Sequence, residues 1–314
     1  NKFMGNTQIS LPALSAKIYQ EWLPKTVLVQ SCDDAYEGEF NLETREIDIP
    51  VYHDLSIHLT TLKEAELKPA SIEFVKASTK RVSIDKGRYA HWGQTEVGKL
   101  MSRLSAEDSE VRKKLVNKWA VEAEKELAQW CALLPSGQEI DLITALTVAD
   151  TNANGLLGTG NVMRALDILK AFAINNNMEP SEFKFFVSEK FESILRDSKL
   201  VLASVSADEA FRSGSVGVVN SVDIRRHNVA SITTRNSSTH IVESEWGIWK
   251  TKDGIQYVVP YKNTVSYEIS PTEVLMGGTG YQTVEYYDFF NLYPSRLYKV
   301  KIRYAGTSNP PTSF

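Results

Sequence analysis

The longest periodic stretch of the chain, from about residue 92 to residue 134, predicts one amphipathic α-helix. Its apolar residues recur at spacings of mostly three and four, the pattern of a single buried stripe on a helix. They are Val97, Leu100, Met101, Leu104, Val111, Leu115, Trp119, Ala123, Leu127 and Trp130. Charged residues of both signs, Glu122, Glu124, Lys125 and Glu126 among them, are assigned to the solvated face. A helix of about 35 to 40 residues spans about 50 to 60 Å, so we expect it to be a scaffold for the rest of the fold.

Roughly the first 40 residues predict an extended or partly helical arm. Its apolar residues make more surface than so short a segment covers by itself. They are Ile9, Leu11, Leu14, Ile18, Tyr19, Trp22, Leu23, Val27 and Leu28. The arm therefore needs a partner surface, and two fit equally well: its own domain or a neighbouring subunit.

Residues 45–90 alternate apolar and polar positions, the pattern of strands with one buried face. The apolar positions are Ile47, Ile49, Val51, Leu55, Ile57 and Leu59 on the outgoing strand and Ile72, Phe74, Val82 and Ile84 on the return. The charged segment TLKEAELKPAS lies between them. Because an isolated two-stranded hairpin is marginal in water, we expect this hairpin to join a sheet or to lie across another molecule.

The rest of the chain predicts an α+β protein. Asn161 is a candidate N-cap for a second helix that ends near Asn175, and FKFFVSEKFESILRD predicts a buried strand followed by a short helix. The segments after residue 215 are rich in β-forming residues with polar turns.

The composition is typical of a folded protein with a small net charge. The chain has 314 residues, 42% hydrophobic and 24% charged, enough for one large or two closely joined domains. A net charge of −4 does not suggest a chain-wide nucleic-acid or membrane-surface role. Cys32 and Cys131 are far apart in sequence and outside any CxxC pattern, which fits a reducing compartment, and we expect both to be small buried apolar residues.

The sequence does not predict a membrane span or a secretory signal. No apolar run approaches the roughly 18 residues of a spanning helix, and the N-terminal segment lacks a basic-then-apolar pattern. We therefore expect no membrane partner.

Candidate chemistry is sparse. The segment GLLGTGN precedes a helix, but it lacks a P-loop lysine and the glycine spacing of a dinucleotide site, so a plain loop is favoured. His53 and His58 lie five apart on an alternating strand and point to opposite faces, which does not suit a shared metal ion. The polar cluster Asp223, Arg225, Arg226 and His227 fits strand-surface charges as well as a site. We expect no catalytic, cofactor or metal site.

The order of these elements, with four segments, resembles a known family. The segments are RVSIDKGRYAHWG (residues 81–93) leading into the long helix, FFVSEKFESILRD (185–197), FRSGSVGVVNSVDIRRHNV (211–229) and YYDFFNLYPSRLYKVKIRY (286–304). They are similar to the spine-helix entry, the axial domain and the last strands of the major capsid proteins of tailed bacteriophages, whose fold is called HK-ninety-seven-like. Glu189 stands where many relatives carry proline.

The resemblance implies a division of the chain. Residues 1–44 would be an N-terminal arm, 45–91 an extended β-hairpin loop, 92–157 a peripheral domain with the spine helix, 158–272 an axial domain, and 273–314 the return to the peripheral domain with a C-terminal tail.

The resemblance also implies a structural role without catalysis. The chain would form hexamers and pentamers of an icosahedral shell that encloses double-stranded DNA, bound without sequence specificity, and a procapsid that matures. Scaffolding, portal and decoration proteins are expected partners, with assembly in the host cytoplasm and residence in the virion capsid. The candidate subunit contacts are Lys63, Glu64, Glu66 and Lys68 at the hairpin tip, Leu14 and Trp22 in the arm, and Arg225 and Arg226.

Two alternatives stay open at this point. The shell of a bacterial encapsulating nanocompartment would share the fold and enclose protein cargo. An α+β enzyme would place a site near Asp223 and His227, in a concave pocket with clustered titratable groups.

Overall fold

A computed structural model gives the structure of the chain. It describes residues 18–34, 46–52, 77–95, 109–149, 155–198, 215–227, 233–235, 242–270 and 277–304. Within these ranges there are four α-helices: α1 (Ser109–Ala132), α2 (Leu142–Ala149), α3 (Val162–Asn175) and α4 (Glu189–Asp197). A helical turn over residues 18–22 and short 3₁₀ turns at Leu23–Lys25, Val29–Ser31, Ser136–Gln138, Pro180–Glu182, Lys252–Gly254 and Pro294–Arg296 connect the longer elements.

The described strands form three sheets. In chain order they are β1 (Glu46–Tyr52), β2 (Ala77–Ser83), β3 (Lys86–Thr95), β4 (Glu139–Asp141), β5 (Lys184–Val187), β6 (Ser215–Val219), β7 (Val222–Arg226), β8 (Thr233–Arg235), β9 (Val242–Lys250), β10 (Gln256–Ile269), β11 (Gly278–Phe290) and β12 (Leu297–Ile302). A two-stranded sheet joins β1 and β2, and a three-stranded sheet has the order β10-β11-β3. A seven-stranded sheet has the order β4-β12-β9-β5-β7-β6, with β8 also paired to β9.

The long helix is confirmed, but its predicted start is wrong. Trp92 lies in β3, where it pairs with Tyr281 across the sheet and stacks on that ring at 5.7 Å between centroids. The described helix α1 has 24 residues and is about 36 Å long at 1.5 Å per residue. Residues 96–108 lie outside the described ranges, so the apolar positions predicted there, Val97, Leu100, Met101 and Leu104, have no structural description.

The buried stripe of α1 is made mainly of small residues. Its least exposed members are Val116, Ala120, Ala123, Leu127, Ala128 and Cys131. Trp119 is buried as predicted, whereas Leu115 and Trp130 are only half-buried. Small side chains let the helix lie close to the strands beneath it, since interiors pack to high density.

The hairpin strands pair as the alternation predicts. β1 and β2 are antiparallel with Ile47 opposite Val82. Ile47 and Ile49 are buried against Val258, Phe290 and neighbouring apolar residues, so the hairpin base is fixed to the end of the three-stranded sheet. The predicted positions Leu55, Ile57, Leu59, Ile72 and Phe74 lie outside the described residues.

The return segment divides into two strands at Ile84 and Asp85. β2 pairs with β1, whereas β3 pairs with β11 in another sheet. Ile84 is buried at this division, and Asp85 is exposed. One continuous stretch of sequence therefore links the hairpin to the three-stranded sheet.

The seven-stranded sheet is covered on both faces at its centre. Phe186 and Ile248 face the cluster that contains α1, while Phe185 and Trp249 face the cluster that contains α3 and α4. This alternation follows from the two-residue period of a strand. Strands buried on both faces explain why KFFV and WGIW carry consecutive large apolar residues.

Sheet membership does not coincide with the expected division at residues 272 and 273. β10 lies before that point, yet it pairs with β11 and β3 beside α1. β12 lies after it, yet it pairs with β9 and β4 in the seven-stranded sheet. After β3, the chain therefore enters the seven-stranded sheet at β4, leaves it after β9 to form β10 and β11, and returns to it at β12.

The second helix is confirmed, with a different role for its predicted cap. Asn161 directly precedes α3, but its side chain accepts a hydrogen bond from the Gly158 N–H (2.7 Å) and donates to the Leu156 carbonyl (2.7 Å). It therefore shapes the GLLGTGN loop instead of capping helix amides. Gly155 has φ +69°, and a Cβ there would lie 2.6 Å from the Ile143 carbonyl oxygen, so glycine is required.

Candidate functional site

The described part of the arm docks on its own chain. Trp22 is fully buried, donates a hydrogen bond from Nε1 to Glu285 (3.3 Å) and meets the Tyr19 ring edge-on at 5.4 Å. Of the two partner surfaces left open by the sequence, residues 18–34 use the first. In this arrangement Trp22, a candidate subunit contact, presents no surface to a neighbour.

A buried carboxylate on the long helix holds the arm. Glu124 Oε1 accepts backbone hydrogen bonds from Val27, from Leu28 (2.7 Å) and from Val29 (3.3 Å). The sequence places Glu124 on the solvated face, and this is wrong: it is only 6% exposed because the arm covers it. Burial raises the pKa of this carboxyl to about 7, although the three amide hydrogen bonds oppose the rise.

A buried lysine holds the other end of the same turn. Lys250, at the end of β9, is 1% exposed and donates from Nζ to the Ser31 carbonyl (2.7 Å). Burial lowers the pKa of its ammonium group. The carboxylate thus lies at the amide end of the turn Val29–Ser31 and the ammonium at the carbonyl end, the arrangement that a helical dipole favours. We call Glu124 and Lys250 the arm clamp.

Two thiols lie in the same core. Cys32 and Cys131 are both free and buried, as the sequence predicts. Burial raises the pKa of Cys32 to about 11 and that of Cys131 further, so both are protonated at neutral pH. They fill space as small apolar residues.

Arg88 joins the arm to the three-stranded sheet. Its guanidinium carbon lies 3.8 Å from the centre of the Tyr287 ring and 5.4 Å from that of Trp22. Its Nε is 3.8 Å from Glu285, the carboxylate that also receives the Trp22 hydrogen bond. Buried charges of opposite sign therefore meet beneath the arm, where pairing is required to offset desolvation.

The polar cluster predicted as an enzyme alternative consists of internal ion pairs. Arg225 binds Asp223 (3.0 Å), and Arg226 binds Glu192 on α4 (3.0 Å). His227 is buried, and burial lowers its pKa to about 4, so it is neutral at pH 7. Its backbone N–H donates to Val187 (3.2 Å), which continues the pairing of β7 with β5.

A concavity of about 420 Å³ lies elsewhere, between α1 and the three-stranded sheet. Its lining comprises Arg88, Tyr89, Trp119, Glu122, Lys125, Glu126, Gln129 and Tyr287. None of the four residues of the polar cluster takes part in it. The described residues also contain no group of three or more His, Cys, Asp and Glu side chains placed to hold a metal ion.

The structure contains a second polar cluster, which the sequence did not predict. Ser188, between β5 and α4, donates to Glu245 (2.6 Å) and lies 3.2 Å from the Tyr304 hydroxyl. Lys190 lies 3.2 Å from the same carboxylate. The cluster ties three segments that are far apart in sequence, which is why no local pattern signals it.

The remaining candidate contacts have no structural description. Leu14, Lys63, Glu64, Glu66 and Lys68 lie outside the described residues, as do His53 and His58. In the parts of the chain that are described, no helix combines the length and apolar character needed to cross a membrane.

The comparisons with known proteins come from structure alone. No family model and no curated protein matches this sequence. Among solved structures, the capsid of Ralstonia phage GP4 matches with a TM-score of 0.59 and 8% identity, covering 99% of this chain and 96% of that one. The capsid of the cyanophage P-SCSP1u matches with a TM-score of 0.58 and 14% identity, covering 97% and 93%.

A shell protein of another kind is also similar. The SrpI encapsulin from Synechococcus elongatus matches with a TM-score of 0.52 and 12% identity, covering 98% of this chain and 96% of that one. The two capsid matches cover 97% and 99% of this chain. The chain has the HK-ninety-seven-like fold of tailed-phage capsid proteins.

Proposed function

We propose that this protein is the major capsid protein of a tailed bacteriophage and assembles into an icosahedral shell around double-stranded DNA. The observation that carries the proposal is the match of nearly the whole chain to phage capsid structures, with TM-scores of 0.58 and 0.59. The role is structural, and hexamers and pentamers of this chain are its working form. Scaffolding, portal and decoration proteins are its partners during assembly in the host cytoplasm, and the mature shell is part of the virion.

The surface of the single chain supports an assembly role. Large apolar side chains are strongly exposed at Tyr89 (72%), Leu133 (84%), Val148 (82%) and Val218 (70%). They are spread over both larger sheets and their helices. Neighbouring copies that surround a subunit on several sides would cover such positions, and heterologous contacts of this kind close into shells.

The fold suggests how the expected domains are built. The peripheral domain would comprise α1 with β3, β10 and β11, and the axial domain α2 to α4 with the seven-stranded sheet. The arm clamp would hold residues 27–31 of the arm on the peripheral domain. The hairpin beyond β1 and β2, with Lys63, Glu64, Glu66 and Lys68, would reach a neighbour, as would Leu14 in the arm.

Arg225 and Arg226 remain contact candidates of a restricted kind. Each already binds a carboxylate of its own chain, and each is only partly buried. A neighbouring subunit would therefore meet each arginine as part of an ion pair already formed within its own chain, and such pairs contribute about 0 to 1 kcal/mol each when exposed.

Light scattering and negative-stain electron microscopy of the purified full-length chain test the proposal. We expect closed shells, or pentamers and hexamers that convert into shells when a scaffolding partner is added. A stable monomer or dimer under all these conditions would contradict it.

A nanocompartment shell is the second candidate, favoured by the encapsulin match. Particles purified from the native source separate the two. A capsid encloses DNA and absorbs as a nucleoprotein, whereas a nanocompartment encloses protein and absorbs as protein alone.

A further inference from the structure

The exposed side of helix α1 carries a row of lysines. Lys114, Lys118 and Lys125 are all exposed and lie within about 40° of one another around the helix axis, at 100° per residue. From Lys114 to Lys125 the row is about 16 Å long at 1.5 Å per residue. Lys113 and Lys25 flank it, and Lys25 donates from Nζ to Asn117 (2.6 Å) on the same helix. We call Lys114, Lys118 and Lys125 the lysine face.

The positive charge of the lysine face is not offset within the described parts of the chain. None of its three lysines forms an ion pair or side-chain hydrogen bond with any described residue. Two carboxylates with described side chains lie at its edge, and one of them, Glu126, is bound by the Tyr287 hydroxyl and lies 3.6 Å from Lys86. Glu122 is exposed, so among the described side chains of the helix it is the one exposed carboxylate beside the row.

This local charge contrasts with the chain as a whole. The net charge is −4, so a polyanion is not attracted to the protein in general. A rigid helix places the lysines at intervals of about 6 and 10 Å along its axis. Lysine ammonium groups bind phosphates as point charges, and phosphate contacts position a protein on nucleic acid without reading its sequence.

We propose that the lysine face binds the phosphate backbone of duplex DNA, and that it lies on the side of the subunit that meets the packaged genome. This inference rests on the proposed function and names the surface by which the shell contacts its contents. Binding is electrostatic and indifferent to sequence. Each lysine that contacts a phosphate releases bound counterion, so affinity falls steeply with salt.

The salt dependence of binding tests the proposal. The probe is a short fluorescent duplex DNA of random sequence, titrated with the unassembled full-length chain at several salt concentrations. The variant combines Lys114→Gln, Lys118→Gln and Lys125→Gln. Its control combines Lys170→Gln, Lys252→Gln and Lys301→Gln, which changes the net charge equally but lies off the lysine face.

We expect the slope of log K against log salt to fall by about 3 in the lysine-face variant, because each phosphate contact contributes about 0.9. The control keeps the wild-type slope. Equal slopes for the lysine-face variant and the wild type would overturn the proposal, as would an equal loss in the control. Tighter binding of polyglutamate than of DNA, with the same lysine dependence, would also overturn it and assign the face to an acidic protein segment.

Assembly is measured on the same proteins to keep the two proposals distinct. The lysine-face variant should form the same particles as the wild type by light scattering. If the wild type forms no particles, the proposed function fails, while the salt slopes still decide whether the lysine face binds DNA.

Discussion

Removal of the Glu124 carboxylate should release the arm from the long helix. Three backbone N–H groups, of Val27, Leu28 and Val29, donate to one of its oxygens in a buried position. A buried donor left without an acceptor costs about 1 to 3 kcal/mol. Three such donors would cost more than about 3 kcal/mol if all stayed buried, but water reaches some of them once the arm loosens. We therefore expect Glu124→Ala to weaken the docking of the arm on the helix by about 3 kcal/mol. Glu122→Gln, an exposed carboxylate on the same helix, is the control and should cost less than about 0.5 kcal/mol.

The assay is hydrogen exchange of the three amides, which reports local opening. A loss of about 3 kcal/mol corresponds to exchange roughly 100-fold faster, at about 1.4 kcal/mol per tenfold change. Amides in the core of the seven-stranded sheet should keep their wild-type rates. Unchanged exchange at Val27, Leu28 and Val29 in Glu124→Ala would refute the reasoning.

The same carboxyl predicts a pH dependence with a definite sign. Its pKa rises from an ordinary 4.5 to about 7 in the folded chain, so the folded state binds this proton more tightly than the unfolded state. The stability from this group is therefore fully present below pH 4.5 and is lost as the pH rises to about 7, a change of about 3 kcal/mol. Glu124→Gln, which cannot ionise, should lack this loss. If urea unfolding gives the wild type and Glu124→Gln the same pH dependence between 4.5 and 7, this account of the pKa is wrong.

Three further changes test the packing around the clamp and the sheets. Lys250→Met should cost about 1 to 3 kcal/mol in urea unfolding, because it leaves the Ser31 carbonyl without its donor; an unchanged free energy of unfolding would contradict the clamp. Trp22→Ala should cost about 3 to 5 kcal/mol, because it leaves a cavity under the arm; an unchanged unfolding midpoint would show that the arm is not docked. Gly280→Ala should cost about 1 to 3 kcal/mol, because its Cβ would lie 2.1 Å from the Tyr267 ring. Gly160→Ala, with open space around it, is the matched control, and an equal effect of both glycine changes on the thermal midpoint would exclude the clash as the cause.

Elements with strong local patterns were predictable from sequence. The hairpin strands follow from the alternation around Ile47 and Ile49, and both residues are buried as that pattern requires. The strand and short helix around Phe185 and Phe191 follow equally from local periodicity. The order of such elements was enough to identify the fold.

The start of the long helix was not predictable from periodicity alone. Ala90 and Trp92 face the core from a strand, and the apolar positions that follow continue at helical spacing. The change from the two-residue period of the strand to the 3.6-residue period of the helix therefore falls between two apolar segments, where periodicity does not mark it. What decides the strand is its partner β11, whose sequence lies almost 200 residues further on. Tertiary pairing therefore sets this boundary.

The arm clamp was also beyond sequence analysis. Glu124 lies within the buried face of α1, four residues from both Ala120 and Ala128, but its charge alone assigns it to the solvated face until the arm covers it. Its amide donors are 95 to 97 residues away, and the carbonyl bound by Lys250 is 219 residues away. No local pattern reveals pairs at such separations, and the same reason hid the cluster of Ser188, Glu245 and Tyr304.

Cryo-electron microscopy of particles assembled from the full-length chain tests the central claim most directly. The account predicts a closed icosahedral shell in which each subunit keeps the described fold, with its hairpin and arm in density continuous with neighbouring copies. Monodisperse monomers or dimers, or an assembly without closed symmetry, would contradict the claim that this chain is a capsid subunit.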